Sequence, residues 1–487
     1  MSPTFIFICF LAYTLMIFAV TWLTSRRATN KTFFLGNKAS PWYVVAYGMI
    51  GASMSGVTFI SVPGWVGSTQ MTYLMVVFGY LVGYIVIATV LLPLYYRLNL
   101  TSIYTFLEQR FGFWSYKTGA FFFILSRVIG ASFRMFLVVN VLQIFIFDAW
   151  GIPFGVSVSI FIFLIILYTL KGGIRTIVWT DTLQTTFMLA ALVLTVFVIG
   201  SQLDLSIPAM FAKISASSST KVLEMDWHSP RFFIKNFLSG IFITITMTGL
   251  DQEMMQKNLS CKSLKEAQKN MFTFSFVLVF VNMLFLFLGA ILYLYAQSKN
   301  IALPERSDDL FPILALRYLG PAASLIFMIG LISAAYPSAD GALTSLTTSF
   351  SIDFLSLEKR KDLTPKQSIR IRQIVHLSFA LLLLLVIILF RSLNDRAVID
   401  KLFTIAGYTY GPLLGLYSFG LFSKRSLRDR LVPIVAIASP VICFLLSENS
   451  SQLFNGYKPG FELIIINGMI TYFGLFILSH EKEKNII

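Results

Sequence analysis

Along the chain, apolar stretches of about twenty residues alternate with short polar segments. A helix needs about 20 apolar residues to cross the hydrocarbon core of a bilayer. These stretches are too long for barrel strands and lack their strict alternation, so they predict transmembrane α-helices. Thirteen candidates cover residues 3–24, 42–66, 71–96, 118–147, 153–170, 177–202, 232–256, 269–297, 319–354, 373–391, 397–422, 431–446 and 461–479.

The composition also indicates an integral membrane protein. Of the 487 residues, 56% are hydrophobic and only 13% are charged, whereas a soluble domain carries about 25% charged residues. The predicted fold class is therefore an all-α membrane protein with about 13 transmembrane helices, embedded in a lipid bilayer. None of the loops is long enough to form a separate soluble domain.

Basic residues are concentrated on one side of the predicted spans. The net charge is +15, and most Lys and Arg residues fall in the odd-numbered loops. Because cytoplasmic loops carry an excess of Lys and Arg, this pattern predicts an external N-terminus and a cytoplasmic C-terminus in the inner (cell) membrane. Topology thereby explains the positive charge, and no nucleic-acid partner is expected.

The second predicted span is dense in glycine and hydroxyl residues. It reads GMIGASMSGVTFISVPG at residues 48–64. Such residues allow the backbone to unwind, and open backbone inside a membrane is tolerated where it lines a cavity. The alternative is a small-residue face that packs closely against another helix.

The ninth predicted span combines a proline with polar side chains near its centre. It reads LISAAYPSADGALTSLTTSF at residues 331–350. Pro337 cannot donate a hydrogen bond to the carbonyl of Ser333, which frees that oxygen. Ser338 adds a hydroxyl and Asp340 a carboxylate, and these oxygen atoms suit a hard monovalent cation such as sodium. The alternative is a proline kink with Asp340 in a structural ion pair.

Two arginines lie within the fourth predicted span. Arg134 is near its middle, and Arg127 is two turns away on the same face. A buried guanidinium needs an anionic partner. Arg134 therefore either holds a carboxylate of a solute as a bidentate pair or pairs with Asp340. Arg127 is expected to be structural, and Asp181 is its candidate partner.

Other classes of function have less support. The three histidines, His228, His376 and His480, lie at span ends or in loops, and neither metal-ligand spacing nor paired carboxylates indicate an enzyme. A channel, or a sensor derived from a carrier, is a further alternative, although a sensor usually carries an added signalling domain.

Four segments follow one another in a recognisable order: LTSIYTFLEQRF at 100–111, KGGIRTIVWTDTLQ at 171–184, DQEMMQKNLSCKSLKEAQK at 251–269 and GPLLGLYSFGLFSKR at 411–425. They resemble segments of the sodium:solute symporter family, which includes carriers of sugars, proline, pantothenate and sialic acid. The second segment is the most specific, because it matches the family pattern GG-x4-VWTD-x2-Q. The resemblance covers nearly the whole chain.

This resemblance implies a single transporter domain over residues 1–487 with a LeuT-like core of two inverted five-helix repeats. Residues 1–41 would form the first helix and a basic loop, 42–202 the first repeat, 232–422 the second repeat, and 431–479 two C-terminal helices. In this fold the first helix of each repeat is broken at mid-membrane. The glycine-rich second span fits that pattern, and the local signal in the seventh span is weaker.

The resemblance also implies a sodium site between the second and ninth spans. Its positions in this chain are Gly51, Met54, Ala334, Pro337 and Ser338. Pro337 departs from the family, which usually has a hydroxyl residue there. The freed Ser333 carbonyl or the Asp340 carboxylate would replace the lost ligand.

Two acidic residues extend this ion pathway. Asp340 falls where members with a second sodium site carry serine, so Asp340 and Ser333 form a candidate second site for a cation or a proton. Asp181 matches an aspartate associated with sodium release towards the cytoplasm.

The substrate site implied by the resemblance is closest to that of the sialic acid branch, which resembles VTFISVP in the second span. That branch holds a sugar carboxylate with an arginine at the position of Arg134, but its glutamine in the third span is Val77 here. A carboxylated solute is therefore expected without further identification. The predicted substrate-binding residues are Ser53, Ser55, Thr58, Tyr73, Arg134 and Thr244.

The predicted function is sodium-coupled symport, in which sodium drives the import of a small polar, carboxylated solute by alternating access. The alternatives are a proton- or other cation-coupled carrier of a neutral sugar or amino acid, and a non-concentrative channel or sensor. The sequence does not predict the oligomeric state.

Overall fold

The computed structural model describes residues 3–25, 29–217, 220–391 and 398–481. These ranges are mainly helical, with one antiparallel pair of two-residue strands, β1 (Ser426–Leu427) and β2 (Ser479–His480). The first helices are α1 (Pro3–Thr24), α2 (Asn30–Leu35), α3 (Trp42–Ser53), α4 (Gly56–Thr69), α5 (Tyr73–Val86), α6 (Leu92–Arg97), α7 (Thr105–Arg110), α8 (Phe113–Leu142), α9 (Phe154–Gln202) and α10 (Ile207–Ser215). The later helices are α11 (Phe233–Thr244), α12 (Gln252–Leu259), α13 (Leu264–Ser298), α14 (Leu310–Ile313), α15 (Gly320–Ser349), α16 (Pro365–Arg391), α17 (Val398–Phe422), α18 (Val432–Glu448), α19 (Ser450–Leu453) and α20 (Leu463–Leu478).

Many of these helices can cross a membrane. Within the described ranges, eight are long and apolar enough, or up to ten if each of two bent helix pairs is one span. Two shorter apolar helices, Phe154–Leu170 and Leu463–Leu478, lie where the sequence predicts the fifth and thirteenth spans. The all-α, multi-pass architecture is thereby confirmed, whereas the number of thirteen spans stays a prediction.

The second predicted span is divided into two helices. Helix α3 ends at Ser53, α4 begins at Gly56, and their axes differ by 55°. Between them, Met54 leaves helical geometry with φ −87° and ψ 66°, and Ser55 is extended. The break therefore falls inside the segment rich in glycine and hydroxyl residues.

The seventh predicted span is divided in the same way, although its sequence signal is weaker. Helix α11 continues through a π-helical turn at Ile245–Gly249, and α12 follows at an angle of 64°. Such turns are rare and frequently occur at functional sites. The two breaks lie in the first helix of each predicted repeat, as expected for an inverted-repeat core. The exact limits of the repeats stay a prediction.

The ninth predicted span remains one helix across Pro337. Helix α15 is uninterrupted from Gly320 to Ser349, so the proline opens the main chain only at the Ser333 carbonyl. Residues 330–349 are all buried, and α15 packs against α1, α8, α9, α12 and α16. Helix α15 is thus the most enclosed long helix of the described bundle.

The fifth and sixth predicted spans join at a kink without an intervening loop. Gly173, in α9, has φ 57° and ψ −156°. A Cβ at this position would lie 2.4 Å from the Cα of Phe33, so the position requires glycine both for its backbone angles and for space. This explains the second glycine of the KGG segment.

Helices α5 and α11 cross at a pair of glycines. A Cβ on Gly79 would lie 2.1 Å from the carbonyl oxygen of Phe237, and a Cβ on Gly240 would lie 2.1 Å from that of Val76. Small residues allow such close approach where helices associate in a membrane. The crossing joins the first predicted repeat to the second.

Replacing Gly240 by alanine is expected to push α5 and α11 apart, because its new methyl group would overlap the main chain of α5. We expect a loss of about 1–3 kcal/mol, typical of an overpacked core, measured as a lower Tm of the purified protein in detergent. Gly155→Ala is the matched control, since a Cβ there meets only Ile388 at 3.6 Å. Equal Tm values for the two variants would contradict this account of the crossing.

Candidate transport site

One cavity lies at the break between α3 and α4, and helices α5, α8 and α11 contribute to its wall. Its volume is about 90 Å³, below the several hundred Å³ usual for sites of drug-sized ligands. The described conformation therefore has room for only a small solute. All six residues predicted to bind substrate line this cavity: Ser53, Ser55, Thr58, Tyr73, Arg134 and Thr244.

Arg134 provides the positive charge of this cavity. Its Nε and Nη1 atoms are buried and have no hydrogen-bond partner among the described residues. The ion pairs found in this part of the chain do not include Arg134. A desolvated guanidinium with free donors can hold an anion, and its planar fork suits a carboxylate.

The alternative pairing of Arg134 with Asp340 is not present in the structure. The Oδ2 atom of Asp340 accepts a hydrogen bond from the hydroxyl of Tyr168 at 2.9 Å, and its Oδ1 atom has no partner among the described residues. Asp340 therefore lies at the interface of α15 with α9, away from the arginine.

The cavity also contains polar residues that the sequence analysis did not select. Tyr80, Tyr84 and Thr248 line it, and so does Asn282 of α13. The hydroxyl groups of Tyr73 and Tyr80 are hydrogen-bonded at 2.9 Å. Asn282 could have been found from the sequence, because an amide within the apolar run of the eighth span is a conspicuous exception.

The predicted sodium ligands lie on two helices in contact. Gly51 and Met54 lie beside the break of α3, which packs against α15, where Ala334, Pro337 and Ser338 are buried. The amide of Gly51 donates a hydrogen bond to Oγ1 of Thr185 at 3.0 Å.

Among these candidate ligands, Ser338 has an available side-chain oxygen. Its Oγ atom is buried and has no hydrogen-bond partner in the described part of the chain. The hydroxyl of Ser333, a candidate for the second cation site, instead donates to the carbonyl of Ile329 at 2.6 Å. The stronger side-chain candidate there is Asp340, whose Oδ1 atom has no partner among the described residues and belongs to a carboxylate.

A buried network of charges lies next to these helices. Lys257 is 2.7 Å from Oδ2 of Asp181 and 3.4 Å from Oε1 of Glu253. Arg127 contacts Glu253, and its Nη1 atom is 3.6 Å from Oδ2 of Asp251. The expected pairing of Arg127 with Asp181 is therefore wrong, because Lys257 occupies the aspartate and two other carboxylates neutralise the arginine.

Three members of this network come from α12 and its N-cap, which lie in the family-like segment at 251–269. All eight residues of α12 are buried. Asp251 caps the helix by accepting hydrogen bonds from the amides of Glu253 and Met254 at 2.9 and 3.3 Å. The pairing of these charged residues with one another makes their burial tolerable.

The fold has counterparts among solved structures. A structure of the substrate-bound outward-open state of a Na+-coupled sialic acid symporter superimposes with a TM-score of 0.83 and 20% sequence identity, covering 98% of this chain and 99% of that chain. The transporter Mhp1 in a closed conformation gives a TM-score of 0.57 at 13% identity, covering 92% and 93%. The chain thus shares its helical fold with these two transporters.

Sequence comparison identifies the family. The chain is 23% identical to the sodium/sialic acid symporter SiaT of Proteus mirabilis over 94% of this chain and 92% of that protein. It is 25% identical to sodium-coupled monocarboxylate transporter 1 of Mus musculus over 81% of this chain and 64% of that protein. The profile of the sodium:solute symporter family matches residues 33–429, and the chain therefore belongs to this family.

Proposed function

We propose that this chain imports a small carboxylated solute together with sodium by alternating access. We infer a carboxylated solute from the Arg134 guanidinium, which is buried in the cavity and has two nitrogen atoms without a hydrogen-bond partner among the described residues. A buried charge without a partner is costly, so a solute that supplies a carboxylate would be bound strongly. The neighbouring hydroxyls of Ser53, Ser55 and Thr58 are suited to hydrogen-bond the rest of a polar solute.

The named relatives support the same solute class. Sialic acid and monocarboxylates differ in size, but both carry a carboxylate. These names belong to proteins that are 23% and 25% identical to this chain. The shared chemistry therefore supports an anionic solute, and the polar wall formed by Tyr80, Thr248 and Asn282 favours one that also bears hydrogen-bonding groups.

For sodium, we propose the site between α3 and α15. Main-chain oxygens near the break at Met54 and the buried hydroxyl of Ser338 are the hard ligands that such an ion requires. Gly51, Ala334 and Pro337 would contribute main-chain groups, and Asp340 would serve a second cation. Asp181 would lie on the exit path, where it is now held by Lys257.

This arrangement would couple the ion to the solute because both bind beside the same helix break. Filling the sodium site would stabilise the end of α3 and the start of α4, which form the solute cavity. With an external N-terminus and a cytoplasmic C-terminus in the inner membrane, sodium would enter down its electrical gradient. Each sodium ion that enters releases about 2.3 kcal/mol of free energy per 100 mV of membrane potential, which supports about fifty-fold accumulation of the solute inside.

The proposal can be tested with purified protein in liposomes that carry an inward sodium gradient and a negative interior potential. Labelled sialic acid and pyruvate are the probes for a large and a small carboxylated solute. Concentrative uptake of either that requires sodium supports symport. Uptake driven only by a proton gradient would favour a proton-coupled carrier over a sodium-coupled one. Equilibration of the labelled solute across the membrane without accumulation would indicate a channel.

Replacing Arg134 by lysine is expected to weaken the binding of the carboxylated solute, because lysine keeps the charge but loses the bidentate fork. We expect the Kd to rise by about tenfold to one-hundredfold, since a hydrogen bond to a charged group contributes about 1.5–3 kcal/mol. Binding is measured by isothermal titration. Arg317→Lys, at an exposed position, is the control, and an unchanged Kd in the Arg134 variant would count against the assignment.

Replacing Ser338 by alanine is expected to raise the sodium concentration needed for half-maximal uptake. The loss of one oxygen ligand corresponds to about 1 kcal/mol, or roughly a fivefold change. The matched control is Ser345→Ala on the same helix, whose hydroxyl already donates to the carbonyl of Ala342 at 3.0 Å. The same sodium dependence in both variants would refute the role of Ser338.

A further inference from the structure

A second, narrower cavity adjoins the candidate substrate cavity. The two share Arg134, Met247 and Leu402, and the second extends to Arg127 and Tyr410. Its volume of about 10 Å³ corresponds to about one water molecule. In the described conformation this passage is closed to a solute, but it places the two arginines along one path.

Arg127 and Arg134 project from the same face of α8. Seven residues separate them, which at 1.5 Å per residue corresponds to about 10 Å along the helix axis. Arg127 is only 3% exposed, and its Nε atom has no hydrogen-bond partner among the residues described. Like Arg134, it is a buried guanidinium with an unused donor that lines a cavity.

The carboxylates that neutralise Arg127 have other partners. Asp251 also accepts a hydrogen bond from the hydroxyl of Tyr410 at 2.8 Å, and its second oxygen caps α12. Glu253 also interacts with Lys257 at 3.4 Å. The 3.6 Å distance from Arg127 to Asp251 exceeds the usual length of a hydrogen bond. Both carboxylates thus share their contacts between Arg127 and other groups, and the Nε donor of Arg127 stays unused.

These contacts join two helices from different halves of the fold. Arg127 belongs to α8 in the first predicted repeat, whereas Asp251 and Glu253 belong to α12 and its cap in the second. The narrow passage is lined mainly by residues of α8 and α17, among them Arg127 and Tyr410. Widening it therefore requires the side chains of α8 and α17 to separate, which would open the unused Nε donor of Arg127 to a solute.

We propose that Arg127 is a second binding station for the carboxylate of the transported solute, occupied after Arg134 on the way to the cytoplasmic side. The inference rests on the proposed function, because it requires a carboxylated solute. A carboxylate leaving Arg134 without a new partner would cross a dry, low-dielectric passage at a cost of several kcal/mol. Arg127 offsets this cost by offering its positive charge and its unused Nε donor to the solute.

The test separates this role from that of a purely structural ion pair. The double variant Arg127→Gln/Glu253→Gln removes one charge of each sign and keeps the capacity for hydrogen bonding. Labelled sialic acid and pyruvate are the probes, Kd and maximal uptake rate are measured in proteoliposomes, and Tm is measured in detergent. Lys359→Gln, which removes a surface charge paired with Glu108, is the control and is expected to behave as the wild type.

If Arg127 is a second binding station, the double variant binds the transported acid with a Kd close to that of the wild type, because the external site at Arg134 is intact. Its maximal uptake rate is about tenfold lower, because release towards the cytoplasmic side is impaired. If Arg127 only balances Glu253, the single variant Arg127→Gln is slow and the double variant recovers the wild-type rate. That recovery would overturn the proposal.

A second variant covers the case in which the double variant does not fold. Arg127→Lys keeps the charge and loses the fork, so a station predicts an unchanged Kd and a maximal rate reduced about threefold to tenfold. If the maximal uptake rate of the Arg127→Lys variant equals that of the wild type, the proposed role of Arg127 is wrong, whereas the proposed function stands. If the wild-type protein accumulates neither acid, the proposed function and the station both fail.

Discussion

A polar main-chain group inside a bilayer has no water to bond with, so each helix break in this protein has to be compensated by neighbouring groups. The break between α3 and α4 shows how this constraint shapes the fold. Thr185 of α9 accepts from the amide of Gly51, and a Cβ on Gly51 would lie 2.3 Å from that hydroxyl oxygen. Gly51 thus lets α9 approach α3 closely, three residues before the break at Met54. Polar groups that no neighbour satisfies are left facing the cavity, where a solute or an ion can reach them.

At the second break, between α11 and α12, the neighbouring side chains are charged. Helix α12 follows it fully buried and contributes Glu253 and Lys257, and Asp251 forms its cap. Their partners come from α8 and α9, so the charge network ties the second bent pair to the first predicted repeat. Charged side chains at this depth are expensive unless they are paired. Such a network stabilises one arrangement of the helices, and a different arrangement requires an exchange of partners.

The candidate sodium site, the candidate solute cavity and the charge network therefore all lie beside one of the two breaks. Helix α15 presents Ser338 and Asp340 from the buried stretch 330–349 of an intact helix, which gives these oxygens a rigid support. The broken helices, whose hydrogen bonding is interrupted, are the more easily deformed elements in the proposed mechanism. This division between a rigid and a deformable element gives a physical basis for linking ion binding to the shape of the solute cavity.

Much of this organisation follows from local chemistry along the chain. Apolar runs predict the helices because main-chain groups in lipid must bond within the segment, and glycine with hydroxyl residues at 48–64 predicts the first break. The six cavity residues could be selected because their residue types and a family resemblance agreed. The partners of the buried charges could not be predicted from the sequence, because the Coulomb energy of an ion pair depends on distances that the tertiary fold sets. Lys257 rather than Arg127 reaches Asp181 because α12 follows the second break at an angle of 64°, a direction that the weak local signal in the seventh span did not specify.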